Sequence, residues 1–291
     1  MSPGGELPTA DSGPGEIAAL RAEVQALRAR LDALDRPNAS AREGEAFAAM
    51  YPAFQDRFRG SEADVRSRLA VYLPDVVRVA TGLGVLDLGA GRGEWLAMLA
   101  EQGVPAYGVE ENGEQAARLR RDQGLRLVDS DAVSHLREVP PASLDMVTAF
   151  HVIEHLDTDV LLHLLDAARA ALRPGGCLIL ETPDPTNLVM AACNFYLDPT
   201  HRQPMPSALT SFLVTARGFR DVQIRPLHPK EPVDLAGLRL PGVSEQATDL
   251  VGLALTKAFF GPQDYAVVAT RPPDPGAHRA RLTTPRDTRR S

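Results

Sequence analysis

Two cysteines in 291 residues leave no disulfide framework, and that scarcity fits a reducing compartment. No apolar run approaches the roughly 18 residues that a membrane-crossing helix needs. The first residues also lack the basic-then-apolar order of a secretory signal. Excess positive charge is missing too: the formal net charge is −7, which argues against general attraction to nucleic acid. These absences predict a soluble, cytoplasmic protein with no nucleic-acid partner and no transmembrane segment. What is present is 44% hydrophobic content, enough at this length for one sizeable core with additions.

The most informative run is Gly84-Val85-Leu86-Asp87-Leu88-Gly89-Ala90-Gly91-Arg92-Gly93-Glu94-Trp95. It predicts a buried strand over Val85 to Leu88, a glycine turn, and an amphipathic helix opening at Glu94. Glycines let the backbone approach a ligand, and a helix N-terminus turns free N–H groups toward it. A dinucleotide fold uses G-x-G-x-x-G with a pyrophosphate on that helix end. Here the third glycine comes one residue early and Asp87 stands near the strand's carboxyl end. A carboxylate there repels a pyrophosphate but suits a ligand with an ammonium or sulfonium charge, which points to S-adenosylmethionine (SAM).

Later segments keep the same order. Ala106 to Glu110 reads as a second strand, and Glu110 lies 19 positions after Gly91, where an acid can accept from both ribose hydroxyls. A third strand, Leu125 to Val128, leads to Asp131-Ala132, with Asp131 placed for the adenine amino group. A fourth, Leu144 to Phe150, runs into His151-Val152-Ile153-Glu154-His155-Leu156. Arg173-Pro174-Gly175-Gly176 stops a helix, and Cys177 to Glu181 forms a fifth strand. Pro206 to Gly218 reads as a helix, Val222 to Arg225 as a sixth strand and Tyr265 to Ala269 as a seventh.

Val85–Trp95, Glu110, Asp131, His151–Leu156 and Leu172–Gly176 together resemble the ordered motifs of class I SAM-dependent methyltransferases, over roughly residues 80 to 185. The resemblance implies a Rossmann-like α/β fold: a seven-stranded, mostly parallel sheet with an antiparallel last strand. It also implies a cofactor set of Asp87, Gly89, Ala90, Gly91, Glu110, Asp131, Ala132 and His151. A SAM-binding domain is expected over 81–271, with an insertion at 226–263 that serves as an acceptor lid or as dimer packing.

Ahead of it, residues 1–15 are rich in Gly, Pro and Ser and read as a disordered leader. Ile17, Leu20, Val24, Leu27, Leu31 and Leu34 then alternate in steps of three and four, an a/d heptad over 16–36. Glu16 with Arg21, Glu23 with Arg28, and Arg30 with Asp35 are opposite in charge across a parallel pair. The expectation is self-association as a parallel dimer or a trimer; the alternative is one amphipathic helix folded onto its own domain. Residues 44–80 predict helices that cap the site: an apolar stripe of Phe47, Met50, Tyr51, Phe54 and Phe58, then a face of Val65, Leu69, Leu73 and Val77. Arg57 and Arg59 beside Gly60 suit an anionic group. The tail, 272–291, is basic and reads as disordered.

Glu181-Thr182-Pro183 ends the fifth strand at the ligand side of such a sheet. The loop Asn194-Phe195-Tyr196-Leu197-Asp198-Pro199-Thr200-His201-Arg202-Gln203-Pro204 gathers acid, hydroxyl, imidazole and guanidinium. With Phe58-Arg59-Gly60-Ser61, these segments resemble methyltransferases of bacterial surface-polysaccharide (O-antigen) clusters. That resemblance implies a glycan or sugar-phosphate acceptor, methylated on oxygen. His155 and His201 are the candidate general bases, with Glu154 beside them; Arg57, Arg59, Tyr196 and Asp198 are candidate acceptor contacts. H-x-x-E-H is also an inverted zinc-protease pattern, but the segment follows a buried strand in an otherwise complete methyltransferase order. Small-RNA terminal 2′-O-methyltransferases carry a similar Glu-His pair with a later histidine around a divalent ion. They have Glu where this chain has His151, so a divalent metal is not favoured and no metal ligands are assigned. The alternatives are a natural-product or quinone O-methyltransferase and a non-catalytic coiled-coil scaffold.

Overall fold

The computed structural model describes residues 50–231 and 242–273, apart from 52, 55 and 56. The predicted leader, heptad helix and basic tail lie outside the described residues, as does the middle of the 226–263 insertion. Contacts divide the chain into two units, Met1–Gly60 and Ser61–Ser291. In the first, the described residues are helical up to Phe58. Tyr51 stacks on Phe54 at 5.8 Å and Phe54 meets Phe58 at 4.9 Å, while Met50 and Phe58 are exposed.

The second unit opens with α1 (Glu62–Leu69), started by a reciprocal capping box between Ser61 and Asp64. A 3₁₀ turn, Ala70–Tyr72, joins it to α2 (Leu73–Val79). That tighter turn shifts the helical phase, so the buried face is Leu69, Tyr72, Val76 and Val79. Val77, expected inside, is 80% exposed.

Four βα steps and a fifth strand follow: β1 (Val85–Leu88), α3 (Glu94–Glu101), β2 (Ala106–Glu110), α4 (Gly113–Gln123), β3 (Leu127–Asp129), α5 (Ala132–Glu138), β4 (Leu144–Phe150), α6 (Thr158–Ala171) and β5 (Leu172–Pro183). Then come α7 (Leu188–Ala192), α8 (Ser207–Ala216), β6 (Arg220–Leu227), α9 (Glu245–Leu255), a π-helical turn (Thr256–Phe260) and β7 (Asp264–Thr270). Together the strands form a sheet in the order β3-β2-β1-β4-β5-β7-β6, parallel except for β7, which runs antiparallel to both its neighbours. This is the expected fold class.

Two differences from the predicted elements have identifiable causes. β3 is an edge strand held only by β2, with Gly108 opposite Leu127, so its short pairing begins two residues late. β5 begins five residues early because Gly175 N–H donates to Arg271 O and Arg271 N–H to Gly176 O, pulling the turn after α6 into the ladder.

Helices cover both faces, so the central strands are apolar throughout, as buried parallel strands must be. Leu86, Leu88, Val147, Ala149, Leu178 and Leu180 pack under Leu161, Leu164 and Leu165 of α6. The alternate positions Val85, Met146, Phe150, Cys177 and Ile179 meet Tyr72, Val76, Trp95 and Leu99. One buried acid holds the bottom of the sheet: Asp145 accepts from Thr81 N–H and Oγ1, Leu83 N–H, Gly84 N–H and Arg173 Nε.

Candidate active site

The glycine turn after β1 is clamped by β2 and the first turn of α4. Gly89 and Ala90 N–H both donate to Val109 O at 2.9 and 3.0 Å. Gly91 N–H donates to Glu110 Oε2 at 2.9 Å, and Asn112 N–H to Glu110 Oε1 at 3.1 Å, so the acid closing β2 is tied to the loop. The Gln115 amide donates to Gly91 O. Gly89, Gly91 and Gly93 all have positive φ. A Cβ on Gly89 would stand 2.7 Å from Val152 Cγ2, so the turn needs glycine for both conformation and space. Asp87 is 2% exposed and accepts from Thr148 Oγ1 at 2.7 Å, its register partner on β4. Asp131 N-caps α5, accepting from Ser134 N–H at 2.9 Å, and Ala132 is the first helical residue.

These residues fit SAM. Backbone without side chains lies between two carboxylates, one buried under the turn and one at its rim. Asp87, Gly89, Ala90, Gly91 and Glu110 converge there, and Asp131 with Ala132 follows β3 at the start of α5.

The carboxyl ends of β4 and β5 carry a second group. After β4, the 3₁₀ turn Ile153–His155 drives Glu154 fully inside, where Thr182 Oγ1 donates to its Oε2 at 2.9 Å. Its Oε1 has no hydrogen bond; it lies 3.3 Å from His151 Nδ1 and 3.9 Å from His201 Nε2. Arg202 N–H donates to Glu154 O at 2.9 Å, bringing the loop after β5 over this turn. Glu154, His155 and His201 therefore come together, with ligating atoms within 4.8 Å of one another.

Hydrogen bonding assigns the imidazole tautomers. Thr200 Oγ1 donates its one proton to Asp198 Oδ1 at 2.6 Å, so toward His155 Nδ1, 2.9 Å away, it can only accept. Nδ1 of His155 carries the proton, and the neutral ring keeps its lone pair on Nε2. His201 Nδ1 faces the Phe195 carbonyl at 2.6 Å and must donate to it. The two rings stand 4.7 Å apart. Burial pushes the His155 pKa below its ordinary value, outweighing the pull of Glu154. For His151, burial acts downward but Glu154 and Glu181 outweigh it, and the ring is held protonated well above its usual range.

The candidate acceptor contacts separate. Asp198 is 9% exposed and braces Thr200 and through it His155, whereas Tyr196 is 65% exposed on the same loop. Arg57 and Arg59 belong to the other unit.

A family profile described as a methyltransferase domain matches residues 26–224. A SAM-dependent methyltransferase structure from Archaeoglobus fulgidus is 34% identical, with a TM-score of 0.66, covering 76% of this chain and 99% of that one. The chain belongs to the SAM-dependent methyltransferases. It is also similar to ubiquinone biosynthesis O-methyltransferases: 33% identity over 105 residues in Idiomarina loihiensis and 32% over 103 in Bradyrhizobium diazoefficiens. Each match covers 35% of this chain and 42% or 40% of the relative, so the chain spans about two-fifths of those proteins.

Sequence reasoning did not single out Thr148, Thr200, Tyr72, His228 or Asp264. Thr148 was readable as a polar residue inside the apolar β4 run, and Asp264 as an acid opening an antiparallel strand, hence at the ligand edge. Tyr72 and His228 gave no local signal; tertiary packing alone brings them in.

Proposed function

We propose that this methyltransferase moves the SAM methyl group to a hydroxyl oxygen of a sugar-containing acceptor, in the cytoplasm, with self-association through the heptad at 16–36. The observation that carries O-transfer is His155: neutral by burial, with its Nδ1 proton committed to Thr200 and its Nε2 lone pair available as a base. Bound SAM supplies a methyl group already activated by its sulfonium, so the protein has to align the acceptor and remove one proton. Asp87 takes the positive end of SAM, Glu110 the ribose hydroxyls, and Asp131 with Ala132 the adenine. Gly89, Ala90 and Gly91 line the cradle, and His151 contributes its peptide, because its ring turns toward carboxylates. His155 Nε2 accepts the hydroxyl proton; the Thr200–Asp198 pair steadies the resulting imidazolium, and His201 with Glu154 fixes the neighbouring wall. Tyr196, exposed on the loop that Asp198 braces, is the acceptor-side contact.

A second reading, methylation of a phenolic hydroxyl of a quinone precursor, is favoured by the similarity to two ubiquinone biosynthesis O-methyltransferases. Radiolabelled SAM with nucleotide-sugars and oligosaccharides in one arm and catechols in the other separates the readings. Label confined to catechols replaces the sugar acceptor. His201→Ala is expected to keep SAM affinity and lose most turnover; full turnover removes His201 from the site.

A further inference from the structure

Behind His151 lies a second cluster that the methyl-transfer reading does not use. Its Nε2 is 3.4 Å from Glu181 Oε1 and 3.9 Å from Asp264 Oδ1. His228 Nδ1 reaches Asp264 Oδ2 at 2.9 Å and Glu181 Oε1 at 3.8 Å. His151, Glu181 and Asp264 each offer a ligating atom within 4.8 Å of the others.

We propose that His151, Glu181 and Asp264, with His228 bonded to Asp264 as the fourth group, bind one borderline divalent cation, of which Zn²⁺ is the type. Three observations converge on it. Glu154, Glu181 and Asp264 are 0%, 3% and 4% exposed, and three buried carboxylates against two imidazoles leave negative charge that the interior cannot leave uncompensated. The His151 separations of 3.4 and 3.9 Å exceed the roughly 2.7–3.2 Å of an N–H···O hydrogen bond. The first falls within, and the second lies just beyond, the spacing of about 3.3–3.6 Å between ligand atoms that share a tetrahedral ion with bonds of about 2.0–2.2 Å.

The surroundings are those of metal ligands. Glu154 Oε1, which makes no hydrogen bond, sits 3.3 Å from His151 Nδ1 and would orient that ring as a carboxylate behind a ligating histidine does. Tyr72 donates its hydroxyl to Glu181 Oε2, turning Oε1 inward. Two imidazoles select a borderline ion over Mg²⁺. The ion would join the end of β4 to β5, β7 and the segment leaving β6, riveting the acceptor edge.

The test uses the full chain, treated with chelator and then titrated with ZnCl₂ by calorimetry. One equivalent is expected to bind, to raise the melting temperature and to be indifferent to equimolar Mg²⁺. Cobalt substitution is expected to give the visible spectrum of a four-coordinate site with imidazole ligands. Glu181→Gln and His228→Ala, checked for folding by circular dichroism, should each weaken binding by more than the 10–100-fold known for outer partners. His201→Ala should leave it unchanged. Absence of stoichiometric zinc binding by the wild-type chain overturns the proposal. So does binding lost in His201→Ala but kept in Glu181→Gln, which would place the ion on Glu154, His155 and His201. No methylation is measured, so failure here is separate from failure of the acceptor assignment.

Discussion

Replacing Glu110 with glutamine tests the cofactor cradle with little change of shape. The carboxylate already accepts from Gly91 N–H at 2.9 Å and from Asn112 N–H at 3.1 Å, which aims it across the glycine turn. Ribose hydroxyls bound to it would be charge-assisted donors, and glutamine exchanges one acceptor oxygen for an NH₂ that faces donors. Losing one hydrogen bond to a charged group costs about 1.5–3 kcal/mol. At 1.4 kcal/mol per decade, SAM and S-adenosylhomocysteine should bind about 10- to 150-fold more weakly. Calorimetric titration measures this, with a thermal melt confirming that the variant is folded. Affinity within twofold of wild type, in a folded variant, refutes the ribose assignment and the reading of the turn that rests on it.

Because burial holds His155 below its ordinary pKa, the base form fills as pH rises through a value under about 6.5. Turnover should climb through that range and be level at neutrality; a limb centred above pH 7 contradicts His155 as the base. Asp145 is depressed to about 2: burial alone would raise it, but the hydrogen bonds from Thr81, Arg173 and Gly84 prevail. A depressed carboxylate stabilises fully above its unfolded pKa and loses that contribution as pH falls through its folded one. Asp145→Asn should therefore cost about 2 kcal/mol in urea unfolding at pH 7, a deficit that shrinks between about pH 4 and 2. An equal deficit at both ends would contradict that linkage. Gly89→Ala places a Cβ 2.7 Å from Val152 Cγ2 at φ +67°, which costs about 1–2 kcal/mol for backbone handedness alone. SAM affinity should drop with stability, and unchanged titrations would show that the turn tolerates a side chain.

The parts that were legible are those whose signals are local. β1, β2 and β4 read directly because central parallel strands are short, largely apolar runs, and the Gly89–Gly93 turn carries its own conformational demand. Harder to read were positions decided by distant partners. Val77 was placed inside because steps of four ignore a 3₁₀ turn that rotates the helix. The early start of β5 depends on Arg271, nearly a hundred residues away. Glu154, His155 and His201 were picked for their chemistry, but the tautomer that makes His155 a base follows from Thr200 and Asp198, whose geometry no spacing rule supplies. Tyr72 and Glu181, 109 positions apart, meet only once the sheet exists.

Placing β7 between β5 and β6 has a consequence for how the chain is made. While the ribosome is still upstream of residue 264, β6 has no neighbour and β5 presents a bare apolar rim. The nascent polypeptide can assemble its first five strands early but must keep that rim from sticking to other chains until Asp264–Thr270 has emerged. A stall or cleavage just before that segment would release an adhesive intermediate with its SAM-binding half already built.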